Sequence, residues 1–319
     1  MGLSRYLFGR VLSGVAVLLA TSALLFWAVT MLPGDPATRI LGMGATPEQV
    51  VLMRDQLGLD APALQRYADW LGGVLRFDLG SSLISRSPVS ELIAPRLVNS
   101  AVLAGAAALL GTVIALAAGV LAGSRPGSRR DRRLSTVALA GVSVPDFVLA
   151  GALVSLVGLG LGWLPSTALL TGAERPWDRP DALVLPVLSL ALPVAAWLFR
   201  YVRAGVATAV TSPSVEAARL AGLSPWVVIT RHLMPSALPN TLPAFGYALA
   251  GLLGGGVVVE RLFGYPGVGL LLVDSVGGRD APVVLAVGVL LSAAVICALT
   301  LTDVAAAALD PRVRRVVRR

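Results

Sequence analysis

The chain has 319 residues, 56% hydrophobic and 14% charged, with a mean hydropathy of +0.80. Soluble domains carry about 25% charged residues, so this composition excludes an ordinary soluble fold and describes an integral membrane protein. The net charge of +8 comes from arginine alone, with no soluble basic face to hold nucleic acid, and the single cysteine, Cys297, excludes an intrachain disulfide or a multi-cysteine metal site.

In chain order, Arg5 and Arg10 precede a charge-free run from Val11 to Gly34. A signal peptide has an apolar core of roughly 7–15 residues and a small-residue cleavage site. This run is longer and ends in Met31-Leu32-Pro33-Gly34-Asp35-Pro36, so residues 1–34 are expected to be a retained first transmembrane helix. Residues 35–96 form the one long hydrophilic stretch. In it EQVVLMRDQLG has helical spacing with Gly58 as its stop, and a second helix is expected from Ala63 to Leu75 with Tyr67, Trp70 and Leu71 on one side. The stretch reads as a compact extracytoplasmic cap on the membrane surface.

The remainder, residues 97–319, reads as a five-helix core. A second span is expected over Leu97–Ser124. Five arginines and one aspartate then crowd the nine-residue loop Arg125–Arg133, and arginine-rich short loops stay in the cytoplasm. A third span, Leu134–Gly160, is interrupted by Asp146 after Pro145; about twelve residues into the span, Asp146 would lie about 18 Å deep. An ionisable group there faces a cavity or a partner: it either meets a cationic or peptide substrate or stabilises the kink at Pro145. The fourth span, Ala182–Phe199, holds Pro186 and Pro193, so kinks are expected, and Arg200 and Arg203 close it on the inside. The fifth, His232–Val259, carries Gly251, Gly254, Gly255 and Gly256, for close helix packing or a smooth pathway wall. Glu260–Asp280 returns outside as a glycine-rich turn with Pro266 and Gly267, either a tight structural turn or a gate. Ala281–Thr302 is the sixth span, and a tail with five arginines follows. All arginine-dense segments then fall on one side, giving cytoplasmic N- and C-termini.

One polar island, Pro213–Pro239, stands out between the apolar runs. PSVEAARLAG predicts a short helix with Ser212 or Ser214 as N-cap, Glu216 near its positive end and Gly222 just past its stop, with Ser224-Pro225 opening the next element. A structured knob on a membrane protein suits a soluble partner; a plain solvated loop is the alternative.

The island also resembles the EAA motif of ABC importer permeases: Glu216-Ala217-Ala218, Gly222 and His232-Leu233-Met234-Pro235 stand at its spacing, with His232 and Met234 replacing the usual Ile and Leu. Further segments are similar to the dipeptide/oligopeptide/nickel permeases, B-type subunit: Leu32-Pro33-Gly34-Asp35-Pro36, Leu57-Gly58-Leu59-Asp60, Phe77-Asp78-Leu79-Gly80-Ser81, Ser143-Val144-Pro145-Asp146-Phe147, Glu260 to Gly269 and Leu309-Asp310-Pro311-Arg312. The chain departs at Glu216, where many such permeases have arginine, and at Ala221, where lysine is common, which leaves the substrate subclass open.

The resemblance implies an all-α, six-span permease fold whose coupling helix, about residues 212–224, docks on a cytoplasmic ATPase through Glu216, Ala217, Ala218, Arg219, Gly222 and His232. Asp146, Gly255, Glu260, Pro266 and Gly267 are the candidate pathway or gate residues. It implies a second, C-type permease, two ABC ATPase subunits that bind ATP and Mg, an extracytoplasmic substrate-binding protein, and a cell-membrane location. On the residues themselves, no nucleophile–base pair and no phosphate loop is visible, so neither bond-making chemistry nor ATP hydrolysis by this chain is expected, and no cofactor. A secondary transporter would need more paired ionisable groups in its spans. A membrane-anchored assembly or signalling protein would not need six spans.

Overall fold

The computed structural model describes residues 3–31, 34–42, 44–171 and 174–309. Leu32, Pro33 and the tail from Asp310 onward, including most of the Leu309–Arg312 motif, lie outside the described residues. Among those described the protein is almost wholly helical, with one isolated bridge between Ser81 and Pro88.

The first helix, α1 (Leu3–Thr30), is followed by three short helices: α2 (Pro36–Leu41), α3 (Pro47–Gln56) and α4 (Ala63–Leu75). Local chemistry explains each boundary. The Asp35 carboxylate caps α2 by accepting the Ala37 amide at 2.9 Å, and Thr46 and Gln49 form a reciprocal capping box at the start of α3. Gly58 sits at φ +61 just past α3. Tyr67 on α4 bonds Ser22 of α1 at 2.8 Å and packs its ring on Phe26 at 5.4 Å, which fastens the cap to the first span. A second fastening lies at the other end of the hydrophilic segment, where the buried Asp280 carboxylate accepts from Ser82 Oγ and from the Leu83 amide at 3.0 Å.

Among the described residues five helices are long and apolar enough to cross a membrane, and there are six crossings where the pair bent by 97° counts as one span. The second span, α5 (Val89–Gly123), begins eight residues earlier than its apolar run suggested. The stretch Arg125–Arg133 is not a loop throughout: Ser128 caps α6 (Arg129–Ser143) by accepting the Asp131 amide. The third span is not one helix with a kink. Here α6 stops at Ser143, and α7 (Asp146–Leu153) leaves at 97° before a π-helical stretch, Val154–Gly160. The break precedes Pro145 because proline's ring pushes the preceding residue, Val144, into extended backbone at φ −93, ψ 120. Counting 1.5 Å per residue through such an elbow is invalid, so the depth assigned to Asp146 above does not hold; Asp146 stands at the elbow itself.

The fourth span, α8 (Pro180–Ala209), runs as one helix through Pro186 and Pro193 and continues ten residues past Phe199. It is the central post, packed by α5, α6, α7 and the fifth span, α11 (Met234–Phe263). Lipid offers little hydrophobic drive for helices to associate, so close backbone approach has to supply the contact. On α5, a Cβ at Gly119 would stand 2.6 Å from Val202 Cγ1, and one at Gly123 would stand 2.7 Å from the Arg203 carbonyl oxygen. Any side chain there would force the two helices apart. The segment after α11 is more than a turn: it contains an apolar helix, α12 (Val268–Gly278), before the last span, α13 (Ala281–Leu309). The last helix runs past the expected end at Thr302, and Asp303 within it pairs with Arg10, which draws α1 onto α13.

Candidate coupling surface and pathway wall

Between α8 and α11 the chain makes a compact excursion: α9 (Pro213–Leu220), a turn, the short α10 (Pro225–Val227) and a π-helical segment, Val228–Leu233. Helix α9 is held from below. Val215 and Ala218 are buried in a cluster with Val202, Val206, Ala209, Val228 and Leu233. Its end is a Schellman motif, with the Gly222 amide donating to the Arg219 carbonyl at 3.0 Å and the Leu223 amide to the Ala218 carbonyl at 3.2 Å. Gly222 supplies the required positive φ of +71. At the start, Ser212 and Ser214 do not cap with their side chains; their hydroxyls lie 3.2 Å apart, and Ser212 takes the N-cap position through its carbonyl alone.

The six residues expected on the coupling surface separate here. Glu216, Ala217, Arg219 and Gly222 are exposed, Ala218 is buried beneath them, and His232 is half-buried on the π-helical segment. Leu220 on α9 and Trp226 on α10 are large apolar side chains that are 84% and 73% exposed. Sequence reasoning passed over both, although large apolar side chains in an otherwise polar island were the available signal.

Beneath this excursion Asp131 and Arg203, 72 positions apart, form a two-pronged ion pair, one prong Arg203 Nη2 to Asp131 Oδ2 at 2.8 Å. Asp131 is 1% exposed and also accepts the Gly127 amide at 2.8 Å. The pair ties the start of α6 to the C-terminal part of α8.

At the opposite end of α11, Glu260 is buried and fully engaged. Ser100 Oγ donates to its Oε1 at 2.6 Å and the Leu270 amide to its Oε2 at 3.0 Å. The Val268 amide donates to the same Ser100 hydroxyl at 2.8 Å. Asn99 Nδ2 reaches the Pro266 carbonyl at 2.9 Å, and the buried Tyr265 hydroxyl donates to the Asn99 carbonyl at 2.7 Å. Gly267 and Gly269 let the carboxylate lie against backbone: a Cβ at Gly267 would stand 2.3 Å from it. Glu260, Pro266 and Gly267 therefore come together as a corner that locks α5, α11 and α12.

Asp146 and Gly255 also come together, elsewhere. A Cβ on Gly255 would stand 2.6 Å from Asp146 Oδ2, so the carboxylate rests on the bare backbone of α11. Gly251, Gly254 and Gly256 meet no such neighbour. Asp146 opens on a cavity of about 400 Å³ walled by Pro193, Trp197, Tyr247 and Gly251. Among the described residues no cation pairs with it, and no group of three or more His, Cys, Asp or Glu side chains is placed to hold a metal.

Comparison with known proteins defines the class. Residues 111–315 match the binding-protein-dependent transport system inner membrane component model, and residues 3–104 match its N-terminal companion. A peptide transport system permease protein of Brucella abortus is 36% identical over 305 residues, covering 96% of this chain and 97% of that one. The glutathione transport system permease protein GsiC of Escherichia coli K12 is 35% identical over 309 residues, covering 97% and 98%. A solved inward-facing structure of the MetNI methionine ABC transporter shares the fold, with TM-score 0.53 and 23% identity over 72% of this chain and 97% of that one. The chain thus belongs to the binding-protein-dependent transport system inner membrane component family, as a multi-pass permease subunit of an ABC importer of the peptide-transport group. Subunits of this family work with an ATPase and a binding protein.

Proposed function

We propose that this chain forms one half of the translocation pathway of an ATP-driven importer for peptides or a related small solute. A second, C-type permease supplies the other half, two cytoplasmic ATPase subunits bind the ATP and Mg, and a binding protein delivers the solute from outside. This chain hydrolyses no ATP. Helix α9 is the contact with an ATPase, with Glu216, Ala217, Arg219, Leu220 and Trp226 presented outward and Val215 and Ala218 as its anchor. That contact puts the excursion, the arginine-rich start of α6 and both termini in the cytoplasm, in keeping with the arginine rule. The cap then lies outside. The observation that carries the reading is the construction of α9: a short helix with two buried anchors, a fixed Schellman end and an exposed apolar side chain, Leu220, on a membrane protein.

The test is a complex of this permease with its ATPase and partner permease. A Cβ at Gly222 meets nothing within 4 Å, so Gly222→Val acts through backbone strain alone, on the order of 1 kcal/mol. Glu216→Lys reverses charge near the positive end of α9. Both variants are expected to insert and assemble while losing most substrate-stimulated ATP hydrolysis. Hydrolysis coupled to uptake as in the parent, in both variants, would remove α9 from the contact.

A further inference from the structure

Among the described residues three enclosed side-chain nitrogens meet no hydrogen-bond acceptor: Arg10 Nε, Trp70 Nε1 and Arg279 Nη1. Arg10 already has a carboxylate, Asp303. Trp70 and Arg279 both line one cavity of about 740 Å³, between the cap and the core. Trp70 comes from α4 of the cap, and Arg279 from the corner between α12 and α13. Both are held in place. The Trp70 ring packs on Tyr67 at 6.0 Å, and Tyr67 is fastened to α1. Arg279 stands at φ +61, where glycine would be less strained, and its neighbour is the anchored Asp280. The other charged residues on the wall have their own surroundings: Asp35 pairs with Arg54, Arg66 lies over the Phe26 ring at 5.9 Å, and Asp69 is exposed. Arg279 is half-buried, with no side-chain hydrogen bond or ion pair among the described residues.

We propose that this cavity holds a membrane phospholipid, its phosphate accepting from Arg279 and Trp70 and its acyl chains lying along the span ends. The lipid then ties the cap to the core. An enclosed donor without an acceptor is costly, and an unpaired guanidinium more so. A phosphate answers both, since it carries negative charge and takes guanidinium through two parallel hydrogen bonds. Free phosphate has the same acceptors, but depth and lining favour a lipid. Phe26 and Val29 belong to the last two turns of α1, and Val284 and Leu285 to the first two turns of α13. The cavity therefore stands where two spans leave the hydrocarbon, at the level of the headgroups. An indole is at home at that level. The span ends contribute apolar side chains and the corner contributes the cation, as an amphiphile requires. The volume falls within the range of about 300–1,000 Å³ usual for a small-molecule site, room for a headgroup and the upper part of its chains. The orientation proposed above decides only which leaflet supplies the lipid.

The experiment measures lipid retention by the assembled permease complex in detergent, using native mass spectrometry. The probes are phosphatidylglycerol, the diacylglycerol with the same chains, and inorganic phosphate. The parent is expected to hold phosphatidylglycerol about tenfold or more tighter than diacylglycerol, and millimolar inorganic phosphate should leave the lipid in place. Arg279→Gln is expected to weaken phosphatidylglycerol about tenfold or more. Trp70→Phe, which keeps a ring and removes the N–H, should weaken it severalfold, and neither variant should change diacylglycerol binding. Without lipid, neither variant should melt below the parent, because one removes an unmet charge and the other an unmet donor. Equal retention of the two lipids would reduce the site to apolar packing, and displacement by inorganic phosphate would make it a free-anion site. Either result overturns the proposal, as would parent-level phosphatidylglycerol affinity in both variants or a lower melting temperature of both without lipid. Lipid retention needs no transport, so its failure and that of the permease reading are separate.

Discussion

Glu260 and Asp146 look alike in the sequence, each a lone carboxylate in or beside an apolar span, and the structure gives them opposite surroundings. Glu260 is 3% exposed, with its oxygens engaged by Ser100 and the Leu270 amide and its flank packed on Gly267 and Gly269. Asp146 rests on Gly255, accepts a hydrogen bond from its own amide, and otherwise faces a cavity with no oppositely charged partner among the described residues. The difference separates two uses of a charge in a membrane protein. A carboxylate whose hydrogen bonds are all made internally fixes a corner, and further ligand binding would first have to break it. A carboxylate left unmatched costs stability and is free to bind something else. Glu260 therefore belongs to the lock between α5, α11 and α12, and Asp146 is the carboxylate we propose for the pathway wall.

The largest expected effect tests the lock. A Cβ at Gly269 would stand 2.5 Å from Val257 Cα and 2.9 Å from Glu260 Oε2. Backbone cannot swing aside as a side-chain tip can, so Gly269→Ala has to separate α11 from α12. Overpacking of this kind costs about 1–3 kcal/mol or more. The variant is expected to lose stable assembly with the partner permease, read by copurification. Assembly at the parent level would mean that the corner is loose.

The next effect contrasts the two carboxylates directly. Glu260→Gln keeps the shape but places an amide NH₂ where two oxygens accept hydrogen bonds, so one donor is left facing another. An unsatisfied buried group costs about 1–3 kcal/mol. The melting temperature of the Glu260→Gln variant is expected to fall by several degrees. Asp146→Asn, whose side-chain oxygen can still accept from the residue's own amide, is expected to leave it unchanged while uptake falls. A fall in melting temperature for Asp146→Asn equal to that for Glu260→Gln would collapse the distinction.

What the sequence revealed and what it hid follow the same division between local and distant contacts. The bounds of α4, the stop at Gly222 and the opening of α10 at Pro225 were legible because periodicity, caps and positive-φ glycines act within a few residues. The pairing of Asp131 with Arg203 and of Ser82 with Asp280 was not, since partners 72 and 198 positions apart leave no local trace. For the same reason Glu260 could be named as a pathway candidate without its bond to Ser100 being foreseen. The elbow lay between these cases. Pro145 was visible, but the break falls on the residue before it, and an apolar run on both sides concealed the 97° turn. Helix α12 was hidden by composition, because its glycine-rich flanks resemble a loop.

The smallest expected effect concerns a third carboxylate, Asp35, which is paired like Glu260 yet stands near water like the cap around it. Burial alone would push its carboxyl upward, but hydrogen bonds from Arg54 at 2.7 Å and from the Ala37 amide at 2.9 Å outweigh that and hold it below the usual carboxylate value. A depressed folded-state pKa stabilises the cap above the unfolded value of about 3.9 and loses that contribution as pH falls through the folded value. The cap should therefore hold constant from neutral pH down to about 5 and loosen only in stronger acid. Arg54 is partly exposed and shared with Asp60, so solvent screens the pair and its contribution is small. Asp35→Asn removes the charge, while its side-chain oxygen can still cap α2 at the Ala37 amide. Limited proteolysis between α2 and α4 is expected to quicken slightly at neutral pH in this variant, with its acid dependence gone and uptake intact. Uptake lost as severely as in Asp146→Asn would mean that the cap takes a direct part in transport, and that pairing within the chain does not by itself distinguish a structural carboxylate from a working one.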